Sequence, residues 1–216
     1  MLLRVLLLAL VVVTATGAAP TSREPANLDV LKQEIAVYVD SGKYQEDIAT
    51  VAAEATAWLR ERVARGGKRL TVVFDLDETL LSNWSHMKEM GFVYVPDAWR
   101  AWVQAARAPA IEPVREVYRE ARKLGLDVIF LTGRPERERA ATRKNLEAIG
   151  CGDYVALMCK PDDSHDTAAG FKSATRARLE ADGRVIIANI GDQLSDLAGG
   201  HAEKIFKLPN PFYLTK

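Results

Sequence analysis

The chain has 216 residues with 29 Lys+Arg against 29 Asp+Glu, so its formal net charge is zero and it lacks the basic excess of a nucleic-acid binder. Its 48% hydrophobic and 7% aromatic content is that of an ordinary soluble globular chain, long enough for one or two domains with a proper core.

Met1–Arg4 carries one positive charge, Val5–Val13 is an unbroken apolar run, and Ala15–Ala19 supplies small residues. This layout predicts a cleavable secretory signal over residues 1–19, because the apolar run is shorter than the roughly 20 residues a spanning helix needs. A retained anchor is the alternative, and the absence of a nearby Cys speaks against a lipid-anchored form. Residues 20–27, with Pro20 and Pro25, read as an exposed linker, and residues 28–216 as one domain. Leu28–Asp40 and Tyr44–Arg65 are predicted helices, the second with helically spaced Ile48, Val51, Ala55, Trp58, Leu59 and Val63, ended by Gly66-Gly67.

Leu70–Phe74 (Leu-Thr-Val-Val-Phe) is a β-branched, apolar run of the kind buried on both faces of a parallel sheet. It leads straight into Asp75 and Asp77. Residues 82–113 then form a long connection that carries three of the four tryptophans, Trp84, Trp99 and Trp102, with Phe92 and Tyr94. A connection of that length reads as a small lid, helical over Asp97–Ala106. The three rings are read first as packing within the lid, with stacking against a ligand as the alternative.

Strands and helices alternate from there: helix Glu112–Leu124, strand Asp127–Leu131, helix Glu136–Ile149, strand Asp153–Met158, helix Lys172–Ala181, strand Arg184–Ile190 and an edge strand over Lys204–Leu208. The pattern predicts an α/β fold: a doubly wound parallel sheet with helices on both faces, a helical lid after the first strand and an N-terminal helical extension. Export would permit a disulfide, but the strand expected between Cys151 and Cys159 holds them too far apart, so both read as free thiols.

In a parallel sheet the strand ends converge on one edge. They bring Asp75 and Asp77 together with Thr132, Gly133 and Arg134, with Lys172, and with Gly191, Asp192 and Asp196. Carboxylates gathered there need a cation, and a Thr hydroxyl, a Gly amide and a Lys suit phosphate oxygens. Metal, phosphate cradle and nucleophile together point to phosphoryl transfer. Lys160 also follows a strand and competes with Lys172 for the phosphate. Asp162, Asp163, His165 and Asp166 read as a solvated polar loop. The three histidines, His86, His165 and His201, are too few and scattered for a zinc or dinuclear site, and no Arg-His-Gly motif is present.

Asp75-Leu-Asp-Glu-Thr79, Leu131-Thr-Gly-Arg134, Phe171-Lys-Ser173 and Gly191-Asp-Gln-Leu-Ser-Asp196 resemble, in chain order, the four motifs of the haloacid-dehalogenase (HAD) superfamily. The closer resemblance is to its subfamily IIIB acid phosphatases, and Phe206-Lys-Leu-Pro-Asn-Pro-Phe-Tyr213 is similar to that family's ending. The resemblance implies a HAD-like core in which Asp75 attacks phosphorus and Asp77 first protonates the leaving group, then activates water. It further implies Mg²⁺ held by Asp75, the Asp77 backbone carbonyl and Asp192, with Asp196 in an outer role. Thr132, Gly133 and Lys172 would bind the phosphoryl oxygens, and Arg134 is divided between substrate contact and a structural ion pair. Residue 77 is a second acid, where the related ion-pumping ATPases carry Thr, and this implies turnover by hydrolysis.

The expectation is an exported, Mg²⁺-dependent acid phosphatase, periplasmic or secreted, that hydrolyses small-molecule phosphomonoesters through an aspartyl-phosphate, with nucleotides among its substrates. Phosphotransfer to an alcohol and a catalytically silent binding or storage protein on the same fold are the rivals. No nucleic-acid partner and no stable membrane association after signal cleavage are expected, and a homodimer is left open.

Overall fold

The computed structural model describes residues 25–215, so the expected signal at 1–19 lies outside the described residues. Five strands, β1 (Leu70–Phe74), β2 (Asp127–Pro135), β3 (Ala156–Lys160), β4 (Val185–Gly191) and β5 (Ile205–Lys207), form one sheet in the order β3-β2-β1-β4-β5. Every pairing is parallel. The α-helices among the described residues are α1 (Leu28–Asp40), α2 (Lys43–Ala64), α3 (Trp84–Glu89), α4 (Pro96–Ala105), α5 (Glu112–Lys123), α6 (Arg139–Ala148), α7 (Ala168–Ala181) and α8 (Leu194–Leu197), with a 3-10 turn over Glu136–Glu138 leading into α6.

The period-2 alternation of the central strands divides the core in two. Val72, Phe74, Val128 and Phe130 face the layer that contains Ile48 and Leu59 of α2 and Val114 and Val117 of α5. Val73, Ile129 and Leu131 face Phe171 and Leu179 of α7. Each large apolar side chain buried in this way contributes about 1.5–3 kcal/mol. The chain steps from β1 to β2 to β3 in one direction and then crosses to β4 and β5 on the far side of β1. That reversal opens a crevice at the carboxyl ends of β1 and β4.

The lid begins and ends at one place. Ser82 N–H donates to the Pro109 carbonyl and Ile111 N–H to the Leu80 carbonyl, both at 2.9 Å, and Leu81 bridges Ala110. Between these anchors lie α3 and α4, the second started by Pro96 with its preset φ. Trp84 packs between Phe92 and Phe212 at ring distances of 5.9 and 5.4 Å, and Trp102 stacks on buried His86 at 5.4 Å.

Several boundaries differ from the sequence expectation. β3 starts at Ala156 and not at Asp153, because Tyr154 caps the sheet edge against Phe130 at 5.3 Å before Val155 makes the first strand-like bond to Val128. α7 starts four residues before Lys172, since the Thr167 side chain accepts a hydrogen bond from Gly170 N–H and caps the helix there. β2 runs on through Thr132-Gly-Arg134 to Pro135, with a register shift against β3 between Thr132 and Pro135.

Cys151 and Cys159 are free, with exposures of 0% and 6%, and burial pushes both thiols up to about 11. Thiolate, the reactive form, is therefore scarce at pH 8 in the folded protein. A disulfide-exchange reagent is expected to label neither thiol at pH 8 in buffer and both in denaturant. Rapid labelling of the native protein would contradict this burial.

Candidate active site

β1 delivers the first carboxylate. The Asp75 N–H still donates to the Ile190 carbonyl at 2.9 Å, which extends the β1/β4 ladder and holds the side chain in the crevice. β4 ends at Gly191 and presents Asp192, and the short α8 places Asp196 beneath it. One oxygen from each of Asp75, Asp192 and Asp196 lies within 4.8 Å of the others. Lys172, one turn into α7, donates Nζ to Asp75 Oδ1 at 2.5 Å and to Asp196 Oδ1 at 2.6 Å. All four side chains are buried.

Neutral donors fix the remaining oxygens. Asp192 accepts from Thr79 Oγ1 at 3.1 Å, Gln193 Nε2 at 2.9 Å and Asn210 Nδ2 at 2.5 Å. Asp196 Oδ2 accepts from the Gln193 N–H at 2.8 Å in a reciprocal capping box. Asp196 lies so close to β4 that a Cβ at position 191 would stand 2.5 Å from its own Cβ, which is why Gly191 is glycine.

Burial, and then the charge of Asp196, raises Asp75 well above the ordinary carboxylate value, with Lys172 pulling the other way. Burial and Asp196 also raise Asp192 against its bonds from Asn210 and Gln193. For Lys172, burial disfavours the ammonium, but the charges of Asp75 and Asp196 outweigh it and raise the group. Three buried carboxylates share one ammonium, so negative charge is in excess, and every donor is a hard oxygen. That arrangement fits a divalent cation.

Asp77 occupies a different environment at the mouth of the crevice, with 18% of its side chain exposed. Arg134 donates Nη2 to its Oδ1 at 2.6 Å and Nε to its Oδ2 at 3.0 Å. Burial pushes Asp77 up, yet the Arg134 charge, with hydrogen bonds from Arg134 and Asn83, outweighs burial and leaves it below the ordinary value. The Arg134 guanidinium is 2% exposed and also donates to Thr142, so the structure places it in an ion pair with Asp77. Thr132 is buried beside it, its Oγ1 accepting from the Arg134 N–H at 3.1 Å, and Gly133 lines the cavity. Lys160 stands apart from the carboxylate cluster at the cavity rim, donating to the Asp166 carbonyl at 2.6 Å.

Above Asp77 opens a cavity of about 610 Å³, walled by Phe92, Tyr94, Trp99 and Phe212. Trp99 therefore faces the cavity, whereas Trp84 and Trp102 are committed to packing. Four groups at this site lack any role in the sequence reading: Glu78, Asn83, Asn210 and Tyr213. Glu78 is buried, accepts from Asn83 N–H at 2.7 Å and Tyr213 Oη at 3.0 Å, and is raised to about 8 by burial and then by Asp77. Glu78 lay inside the first motif, and Asn210 and Tyr213 inside the carboxyl-terminal one.

Comparison with known proteins gives a concordant result. A family model described as HAD superfamily, subfamily IIIB (acid phosphatase), matches residues 10–216. The chain is 36% identical to Acid phosphatase 1 of Solanum lycopersicum, over 82% of this chain and 71% of that protein. It is 31% identical to Vegetative storage protein 1 of Arabidopsis thaliana, over 87% and 73%. Its fold superposes on the class C acid phosphatase from Bacillus anthracis with a TM-score of 0.72, at 23% identity, covering 87% of this chain and 86% of that one.

The Gly191 contact is testable. Gly191→Ala is expected to displace Asp196 and Lys172, destabilising the fold by about 1–3 kcal/mol as overpacking does. Chemical denaturation measures the loss, and a variant as stable as the parent would show that Asp196 has room to move.

Proposed function

The chain belongs to the HAD superfamily subfamily IIIB acid phosphatases, a family of phosphomonoester hydrolases, and from that premise we propose that it is an exported, Mg²⁺-dependent enzyme working through an aspartyl-phosphate on Asp75. The observation that carries the reading is the division of labour between two carboxylates two residues apart. Asp75 sits among carboxylates and Lys172 on the crevice floor, and Asp77 sits on Arg134 at the mouth. Carboxylates held in such different environments suit different tasks.

Asp75 attacks phosphorus while the ester P–O bond breaks, and the proton on Asp77 passes to the departing oxygen. Asp77, now a carboxylate, takes a proton from the water that attacks the aspartyl-phosphate, which releases inorganic phosphate and restores both residues. The Thr132 hydroxyl, the Gly133 amide and the Lys172 ammonium hold the phosphoryl oxygens. Asp75, the Asp77 backbone carbonyl, Asp192 and Asp196 are the groups that would hold Mg²⁺, which would balance the excess carboxylate charge and offset the repulsion between nucleophile and phosphate.

The aromatic walls around Trp99 and Tyr94 support a flat leaving group, and nucleotides fit that description. Export rests on the layout of residues 1–19, and none of the described helices is long and apolar enough to cross a membrane. A silent storage role, suggested by the names of the Arabidopsis relatives, is disfavoured by the intact set of Asp75, Asp77, Lys172 and Asp192.

Two outcomes test the reading. Phosphate release from an aryl phosphate is expected to stop in excess EDTA, and to fall on the order of 10³-fold or more in Asp75→Asn. Activity that survives both would place the chemistry elsewhere. The second outcome concerns pH. Arg134 holds Asp77 low, so the proton-bearing acid becomes populated only as pH falls, and kcat/KM for an alkyl ester rises toward acid pH. Arg134→Met removes that pull and moves the limb to higher pH by about 1–3 units. An unshifted profile would remove Asp77 from the acid role.

A further inference from the structure

Asn83 is the first residue past the lid's anchor and is completely buried. Each hydrogen-bonding group of its side chain is used. Nδ2 donates to Asp77 Oδ1 at 2.9 Å and to Glu78 Oε2 at 3.0 Å, and Oδ1 accepts from Trp102 Nε1 at 2.7 Å. An indole N–H only donates, so Trp102 fixes Asn83 Oδ1 as its acceptor and thereby turns Nδ2 toward Asp77 and Glu78. Trp102 belongs to α4 and stacks on His86 of α3, so the orienting donor is part of the lid itself.

The effect on Asp77 is asymmetric. Oδ1 accepts both Asn83 Nδ2 and Arg134 Nη2, and its two lone pairs are spoken for. Arg134 Nε also reaches Oδ1, at 3.3 Å, whereas Oδ2 accepts from Arg134 Nε alone, at 3.0 Å, on a residue that lines the cavity, and so has a lone pair to spare. We propose that Asn83 is a positioning residue that makes Oδ2 the proton-carrying oxygen of Asp77, and that Trp102 holds Asn83 in register, so that correct placement of the acid depends on the lid being seated. This inference rests on the reading of Asp77 as the acid. It adds the means by which a segment distant from phosphorus governs proton delivery.

A misplaced acid harms esters whose leaving oxygen needs a proton far more than esters whose leaving group departs unaided. The measurement is therefore the ratio of kcat/KM for an alkyl phosphomonoester to that for a nitrophenyl phosphate, which reports the first chemical step. General acids contribute about 10²–10⁴-fold, so Asn83→Ala is expected to lower the ratio about 10–100-fold. Asn83→Asp keeps the volume and the acceptor for Trp102 but sets a carboxylate against Asp77 and Glu78, and should lower the ratio as far. Trp102→Phe, which keeps the ring on His86, should lower it about 3–10-fold, as a small misplacement does. Thermal melts identify any variant that has lost its fold.

An equal fall on both esters in folded variants, or a fall in Asn83→Ala that Asn83→Asp restores, would overturn the proposal and make Asn83 a packing residue. Asp77→Asn separates the two levels of inference. If it lowers the ratio and folded Asn83 variants do not, the positioning role alone fails. If Asp77→Asn leaves the ratio intact, the acid role fails and the positioning role fails with it.

Discussion

Three carboxylates, Asp75, Asp192 and Asp196, are held around one lysine ammonium inside the protein, and the remainder of the site is arranged around that concentration of charge. Removing charged groups from water costs several kcal/mol each unless partners replace the lost solvation. The partners come from widely separated parts of the chain. Thr79 and Asn210 reach Asp192, Gln193 reaches both Asp192 and Asp196, and α7 contributes Lys172. The parallel register of β1 against β4 brings these groups to one edge of the sheet, and Gly191 allows the packing distance. The resulting set of oxygens is one that a cation would complete.

Asp77 is two residues away in sequence and in another electrostatic setting. Side chains alternate along an extended chain, but here the strand has ended, and Asp77 turns toward the lid and Arg134. Two carboxylates two residues apart are thereby given separate surroundings without a second strand to carry one of them. The arginine at the end of β2 is committed to this carboxylate and, against burial, holds it below the ordinary value.

The sheet and the carboxylates were readable because each lies where an apolar run stops. Leu70–Phe74 and Arg184–Ile190 are bounded by polar residues whose position at a strand end follows from topology. Lys172 was readable from its motif and was expected to open its helix, but the four residues of helix before it were not legible, because Thr167 as a cap competes with other starts in a polar loop. The direction of Arg134 was left open since an arginine side chain at a strand end can reach either substrate or carboxylate, and only the packing of α6 and the lid decides. Glu78, Asn83, Asn210 and Tyr213 were quoted or passed over without roles for a similar reason. Asn83 meets Glu78 and Asp77 through the irregular turn after β1, which has no periodicity to read, and Tyr213 meets Glu78 across 135 residues, a contact that arises only from closure of the whole domain.

The shared anchor of the lid, where Ser82 meets Pro109 and Leu80 meets Ile111, has a consequence for how such an enzyme changes over generations. A segment that leaves and re-enters the sheet at adjacent points can be lengthened, shortened or rewritten without stretching the strands that carry the carboxylates. The segment that walls the cavity can therefore change while the strand ends that carry the carboxylates stay in place. The ties that limit that freedom are the hydrogen bond from Trp102 to Asn83, the stack of Trp84 on Phe212 and the pair of bonds between Ala108 and Asn145, and a rewritten segment has to find substitutes for them.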